Sequence, residues 1–137
     1  MITHIKRFAV LTLLAGALGV ASATTVHVRL SGAAEVPAVK SAASARAVIS
    51  VLPDHAVRGE VITRGIRPTM VHIHEGAAGT NGPVVIGLKH AGVNVWRVPA
   101  GAKLTLAQYR AFLAGDLYLN VHSHRHPGGE LRGQIKP

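Results

Sequence analysis

Residues 45–66 read ARAVISVLPDHAVRGEVITRGI, two runs of alternating apolar and polar side chains separated by Pro53 and Asp54. Alternation with a period of two is typical of a strand that buries one face. Proline presets a turn dihedral angle, and aspartate can bond its own backbone, so the Pro-Asp pair predicts a tight turn. The stretch therefore predicts a β-hairpin.

Further short strands are predicted on both sides of this hairpin. The clearest are residues 24–31 (TTVHVRLS), 69–76 (TMVHIHEG) and 116–124 (DLYLNVHSH), and shorter candidates are residues 83–92, 93–101 and 130–135. Between the first strand and the hairpin, the Gly, Pro and Ser content of residues 32–44 predicts a loop.

One segment has helical spacing. In residues 105–114, TLAQYRAFLA, Leu106, Tyr109 and Leu113 fall on one face, Thr105 can cap the start, and Gly115 can end the helix. About eight short strands and one short helix, with no strand–helix–strand rhythm, favour an all-β fold. We predict an antiparallel Greek-key β-sandwich, superoxide dismutase-like or immunoglobulin-like, with a helix near 105–114.

The amino terminus has the pattern of a secretory signal. Lys6 and Arg7 precede an apolar run of 13 residues, FAVLTLLAGALGV, and the small residues Ala21-Ser22-Ala23 follow. A membrane anchor would need about 20 apolar residues. We therefore predict a signal peptide at 1–23 and one domain at 24–137, periplasmic or secreted, with no membrane attachment after cleavage.

The composition narrows the function classes. The chain has no cysteine, so no disulfide holds it together. Its formal net charge is +9, or +7 without Lys6 and Arg7, which could attract a protein or anionic polymer partner. The basic residues are scattered singly and lack interleaved aromatic residues, so no nucleic-acid partner is expected. No cysteine nucleophile, GxSxG elbow or P-loop is present, and the case for an enzyme is weak.

Two strands carry a His-any-His spacing, at His72 and His74 and at His122 and His124. Residues i and i+2 of a strand point the same way, about 6.6–6.8 Å apart. Two imidazoles can therefore tilt toward one ion at about 2.0–2.1 Å each. If the two strands are neighbours, three or four imidazoles converge on a metal, with copper preferred over zinc.

The alternative is that these histidines are structural. They can be polar side chains on an exposed face, or they can brace loop backbones by hydrogen bonding. In that case the chain is a binding module without metal. For His124 this structural interpretation is favoured over the metal interpretation.

Three long blocks of this chain resemble the CHRD domain, a module named from chordin and found in microbial exported proteins. They are LSGAAEVPAV (30–39), HIHEGAAGTNGPVVIGL (72–88) and GDLYLNVHSHRHPGGELRGQI (115–135). The resemblance implies an extracytoplasmic β-rich domain and does not imply an enzyme. His124 is not a usual position of the family.

The matching positions include His72, His74 and His122 of the histidine set, together with Asn120, Glu130 and Arg132. We expect Glu130 and Arg132 to fix the closing strand by an ion pair or by loop hydrogen bonds. Asn120 is expected to support the site beside them.

A weaker similarity is to copper/zinc superoxide dismutase, whose copper strand also carries His-any-His before a Gly-rich loop. The disulfide cysteines of that enzyme are missing here, and no second zinc-binding set is visible. This similarity leaves open only a copper-only variant of the enzyme.

Overall fold

The computed structural model describes residues 16–17 and 19–137. Most of the predicted signal peptide, residues 1–15 and 18, lies outside the described residues, so that assignment stays a prediction. The described part has nine strands and one α-helix, with a 3₁₀ turn at Gly32–Ala34. The elements are β1 Thr24–Leu30, β2 Ser44–Val51, β3 Val57–Arg64, β4 Pro68–Glu75, β5 Val84–Gly87, β6 Lys89–Gly92, β7 Val95–Arg97, α1 Leu106–Ala114, β8 Leu117–Ser123 and β9 Leu131–Ile135.

The strands form two antiparallel sheets. Sheet 1 has the order β1-β2-β3-β7-β6, and sheet 2 has the order β5-β4-β8-β9. The hairpin predicted from residues 45–66 is confirmed: β2 pairs with β3 in continuous register. In its turn, the Asp54 carboxylate accepts a hydrogen bond from the backbone of Ala56 at 3.1 Å, which is how aspartate favours turns.

Three connections lead from one sheet to the other: β3 to β4, β5 to β6, and β7 to β8. As a result β3 pairs with β7 in sheet 1 and β4 pairs with β8 in sheet 2. Strands distant in the chain thus become neighbours, as in Greek-key arrangements. The predicted all-β sandwich is confirmed.

The predicted helix is also confirmed, over Leu106–Ala114. Thr105 and Gln108 form a reciprocal capping box, in which each side chain bonds the backbone N–H of the other. Gly115 ends the helix in the left-handed conformation, with φ at 78°.

The core lies between the inner faces of the two sheets and consists mainly of Val, Ile, Leu and Ala. Phe112 of the helix is fully buried with them. At one edge β9 approaches β1 closely: a Cβ at Gly133 would lie 2.5 Å from the carbonyl oxygen of Arg29. Only glycine permits this closure of the sandwich.

Sheet 2 differs from expectation in one respect. Alternation in residues 116–124 predicts one buried face, yet all seven residues of β8 are buried. The reason is that two loops, residues 31–43 and 76–83, are hydrogen-bonded to the outer face of sheet 2.

In the described part of the chain, no helix is long and apolar enough to cross a membrane.

Candidate metal centre

The register between β4 and β8 brings the predicted histidines together. Met70 pairs with His122, His72 pairs with Asn120, and His74 pairs with Tyr118. Directly opposite residues of an antiparallel pair share one face of the sheet. His72, His74 and His122 therefore all lie on the outer face of sheet 2, and His122 is diagonal to His72.

The three rings lie close together on this face. One potential ligand atom from each of His72, His74 and His122 can be chosen so that all lie within 4.8 Å of one another. Nδ1 of His72 is 3.1 Å from Nε2 of His122. Two nitrogens that bind one ion at about 2.0–2.1 Å would have a similar separation.

His74 is held in a single orientation. Its Nδ1 lies 2.9 Å from the carbonyl oxygen of Gly82, and because a carbonyl can only accept, Nδ1 carries the proton. Its Nε2 then has a free lone pair, and this atom is buried without a hydrogen-bond partner among the described residues. A buried polar atom without a partner costs about 1–3 kcal/mol. A bound cation would remove that cost.

His122 is oriented in the same way. Its Nδ1 donates to the carbonyl oxygen of Pro127 at 2.9 Å, so the unprotonated Nε2 is directed at His72. A backbone acceptor on one ring nitrogen is the usual means of fixing the tautomer of a metal-binding histidine. Without an ion, the lone pair of His122 Nε2 accepts a hydrogen bond from Nδ1–H of His72, and His74 is the ring that presents an unengaged lone pair.

The surroundings of His72 and His74 favour their neutral forms. Burial, assisted by the neighbouring rings of His122 and His74, lowers the pKa of His72 below its ordinary value of 6.5. Burial also lowers the pKa of His74, with further contributions from His122 and Arg132, although the hydrogen bond to Gly82 opposes the shift. Neutral imidazole is the form that binds metals.

Tyr118 and Arg132 of sheet 2 hold the loop of residues 76–83, whose Gly82 carbonyl oxygen orients His74. Gly82 donates its N–H to the Tyr118 hydroxyl at 3.0 Å, and the Tyr118 ring stacks on the His74 ring with centroids 4.9 Å apart. Arg132 is buried, lies 3.6 Å from the centroid of the Tyr118 ring, and donates to the carbonyl oxygens of Thr80 and Ala77. At Gly82 a Cβ would lie 1.7 Å from the Glu75 carbonyl oxygen, so the loop requires glycine there.

A second buried group supports the other side of β8. Asn120 donates to the carboxyl group of Glu35 and to the carbonyl oxygen of Leu131. Burial raises the pKa of Glu35 to about 7, although the charge of Arg132 opposes the shift. Asn120 therefore braces the loop of residues 31–43 and forms no hydrogen bond with the cluster histidines.

Glu130 and Arg132 act through loop hydrogen bonds, one of the two roles expected of them. The Glu130 carboxylate accepts from the hydroxyls of Ser41 and Ser123. Among the described residues the ion pairs are Arg97–Glu60 and Lys103–Asp54, so Glu130 and Arg132 do not pair with each other. His124, the fourth predicted ligand, is exposed and lies outside the group of three.

Sequence reasoning did not assign a role to Tyr118, Gly82 or Glu35 in supporting the site. A signal for Tyr118 was present, because residues 118, 120 and 122 alternate onto one face of the predicted strand. Gly82 and Glu35 lie in loops, whose folding over the sheet could not be inferred from local patterns.

The lowered pKa values predict how the metal-free protein responds to acid. The unfolded chain takes up protons on His72 and His74 near pH 6.5, whereas the folded chain resists protonation there. The contribution of these two histidines to the free energy of unfolding should therefore fall as the pH drops from about 7.5 to about 5.5, whereas Glu35, whose pKa is raised to about 7, contributes in the opposite direction. In urea denaturation with a chelator present, the free energy of unfolding of His72→Gln/His74→Gln should decrease less, or increase more, than that of the wild type over this pH range, while His124→Gln should match the wild type. An unchanged slope in the double variant would contradict the assignment.

The support of the loop by Tyr118 can be tested by removing one hydroxyl. Tyr118→Phe leaves the Gly82 N–H without its acceptor and should lower the free energy of unfolding by about 1–2 kcal/mol in urea denaturation. Tyr109→Phe is the matched control, because Tyr109 contributes its ring by stacking on His55 at 4.1 Å. Equal effects of the two substitutions would show that the Tyr118 hydroxyl does not hold the loop.

The sequence and structure of this chain can be compared with those of known proteins. The chain matches the CHRD domain family over residues 26–135. Comparison with curated proteins gave no match, and comparison with solved structures gave none. The weaker similarity to copper/zinc superoxide dismutase is therefore not supported. The match spans most of the chain and nearly all of the described sandwich, and the chain belongs to the CHRD domain family.

Proposed function

We propose that this chain is an exported CHRD-domain protein that binds a transition metal through His72, His74 and His122, with copper as the metal. Its role is then metal binding or handling outside the cytoplasm, in the periplasm or in secreted form. The support for export is the composition of residues 1–23, which combine a basic start, a short apolar run and a small-residue end.

The observation that carries the metal proposal is the state of the His74 ring. Its Nδ1 donates to the Gly82 carbonyl oxygen, and its Nε2 is buried beside two further imidazoles without a hydrogen-bond partner in the part of the chain that the structure describes. A histidine that only braced the loop would need the first contact alone. The structural alternative accounts for the hydrogen bond between His72 and His122, but not for the unpartnered nitrogen of His74.

The donor set favours copper. It consists of three imidazoles, and the chain has no cysteine to add a thiolate. Two nearby carboxyl groups, of Glu35 and Glu130, are bonded to Asn120 and to two serines. Imidazole suits copper, zinc and nickel, and divalent copper binds most tightly in the first-row series. Zinc is the second choice.

Access to the cluster is from the side of His72. His74 and His122 are buried, whereas His72 is half-buried and is the member of the cluster that solvent reaches. His124 would have to leave its exposed position to become a fourth ligand. We therefore assign the site to three histidines.

Calorimetric titration of the metal-free protein with Cu(II) and Zn(II) salts tests this function. The wild type should bind one equivalent of Cu(II) with a Kd tighter than about 10 μM, and Zn(II) more weakly. The variant His72→Gln/His74→Gln should bind Cu(II) at least about tenfold more weakly, because two of three ligands are lost.

The matched control is His124→Gln, which removes one imidazole from the same region but not from the cluster. It should keep the affinity of the wild type. No binding by the wild type, or equal binding by the double variant, would end the metal proposal and leave a CHRD domain whose histidines are structural.

A further inference from the structure

The outer face of sheet 1, on the opposite side of the sandwich from the histidine cluster, carries a concentration of arginines. Arg29 of β1 and Arg46 of β2 are direct partners in the register. Arg64 of β3 pairs with Ser44 and so lies diagonal to Arg46. All three arginine side chains are exposed.

These arginines line a depression of about 650 Å³ that runs across the first three strands of sheet 1. Two aliphatic side chains lie beside them, both at least partly exposed: Ile62, directly opposite Arg46, and Val48, two positions after Arg46 on β2. We call this surface the basic groove, and its outward-facing side chains include those of His27, Arg29, Arg46, Val48, Ile62 and Arg64.

The charge of the basic groove is not neutralised within the described part of the chain. Its single lining acid, Glu60, is paired with Arg97 at 3.3 Å. The other ion pair of the described residues, Lys103–Asp54, lies outside the groove. Like charges directly opposite each other on neighbouring strands destabilise a sheet. An anion between Arg29 and Arg46 would reverse that effect.

We propose that the basic groove binds an acidic polysaccharide, a linear polymer with repeating carboxylate or sulfate groups. Guanidinium groups form paired hydrogen bonds with such oxyanions. The arginines occupy three adjacent strands, with Cβ separations of about 4.5–5.5 Å for direct partners and about 7–8 Å for diagonal ones. This spread matches several anionic groups along a chain better than one small anion, and Val48 and Ile62 can contact the apolar faces of the sugar rings.

Two other anionic partners fit the groove less well. Single-stranded nucleic acids are held by aromatic side chains on which bases stack, and no aromatic ring other than that of His27 lines the groove. A lipid bilayer presents a broad plane, which contacts protruding side chains and does not enter a concave surface. Binding to each of these partners is therefore compared with binding to the polysaccharides.

The test compares two variants that lose the same charge. Arg29→Gln/Arg46→Gln removes two guanidinium groups from the groove, and Arg110→Gln/Lys136→Gln removes two exposed charges elsewhere. Binding to heparin and to polygalacturonate is measured by surface plasmon resonance. The groove variant should bind at least one polymer about tenfold more weakly, and the control variant should stay within about twofold of the wild type.

Equal weakening of both variants would show that net charge alone attracts the polymers and would overturn the proposal. Tighter binding to single-stranded DNA or to phosphatidylglycerol vesicles than to either polysaccharide would overturn it as well. His72→Gln/His74→Gln should leave polysaccharide binding unchanged, since the cluster lies on the other sheet. The basic groove thus stands or falls independently of the metal site.

A second inference rests on the proposed metal function and concerns Met70. This residue is two positions before His72 on β4 and directly opposite His122 on β8, so its side chain starts on the same face as the cluster. It is the only methionine besides Met1, and it is 46% exposed. Directly opposite Cβ atoms lie about 4.5–5.5 Å apart, a distance that the long thioether side chain can bridge.

We infer that Met70 supplies a sulfur ligand when the site holds Cu(I). Thioether is a soft donor that selects Cu(I), whereas divalent zinc and copper are well served by imidazole alone. With Met70 beside His72 and His122, the cluster would retain copper in both oxidation states.

Met70→Leu conserves the volume of the side chain and removes the sulfur. Under anaerobic conditions, competition with bicinchoninate should show Cu(I) binding weakened by about tenfold, while the Zn(II) affinity stays within about twofold of the wild type. X-ray absorption of the Cu(I)-loaded wild type should show one sulfur scatterer that the variant lacks.

The outcomes separate the two metal proposals. An all-nitrogen Cu(I) site in the wild type would overturn the role of Met70 and leave the three-histidine site standing. Absence of any metal binding by the wild type would overturn both.

Discussion

The antiparallel pairing of β4 with β8 is the constraint on which the candidate site depends. On the inner face of these strands, Val71, Ile73, Leu119 and Val121 are almost completely buried. Each such side chain contributes about 1.5–3 kcal/mol by its burial. A slip of one residue would expose the apolar side chains of the slipped strand and turn its histidines toward the core. Because hydrogen bonds around the histidines contribute only about 0.5–1.5 kcal/mol each, the hydrophobic core sets the register and thereby positions the imidazoles.

On the outer face of sheet 2, the loops must satisfy the hydrogen-bond donors of a buried charged side chain. Arg132 is 1% exposed, and burying a guanidinium group is costly unless its donors are satisfied. Here the loop of residues 76–83 supplies carbonyl oxygens to Arg132, and the face of the Tyr118 ring lies against it. The same loop carries the Gly82 carbonyl that fixes the tautomer of His74. One loop conformation therefore both satisfies the buried guanidinium group of Arg132 and fixes the tautomer of His74.

The two faces of the sandwich have different chemistry. Sheet 2 is covered by loops and keeps its polar groups paired, with the exception of the His74 nitrogen that faces the cluster. Sheet 1 leaves its outer face open and carries unneutralised arginines among the described residues. The sandwich separates these surfaces by the thickness of the core. A ligand on one face can thus be held without displacing groups on the other.

Local patterns were sufficient for most of the secondary structure. The alternation around Pro53-Asp54 predicted the hairpin, and the capping residues Thr105 and Gly115 predicted both ends of the helix. These features depend on interactions between residues close in the chain, so the sequence shows them directly. The same alternation placed His72 and His74 on one face of a strand. It could not show that β8 is buried on both faces, because that burial comes from loops distant in the sequence.

The amino-acid sequence by itself determined the elements, their apolar faces and a short set of histidines able to bind a metal. The tertiary structure decided which of them meet: the pairing of β4 with β8 brings His122 to His72 and His74 and leaves His124 exposed. It also decided that Arg132 holds a loop by donating hydrogen bonds to its backbone carbonyl oxygens. The pairing of β1 with β2 likewise placed Arg29 directly opposite Arg46 on the neighbouring strand. The physical reason is that strand register and loop packing are set by the burial of the whole core, whereas periodicity reports only the two faces of each strand.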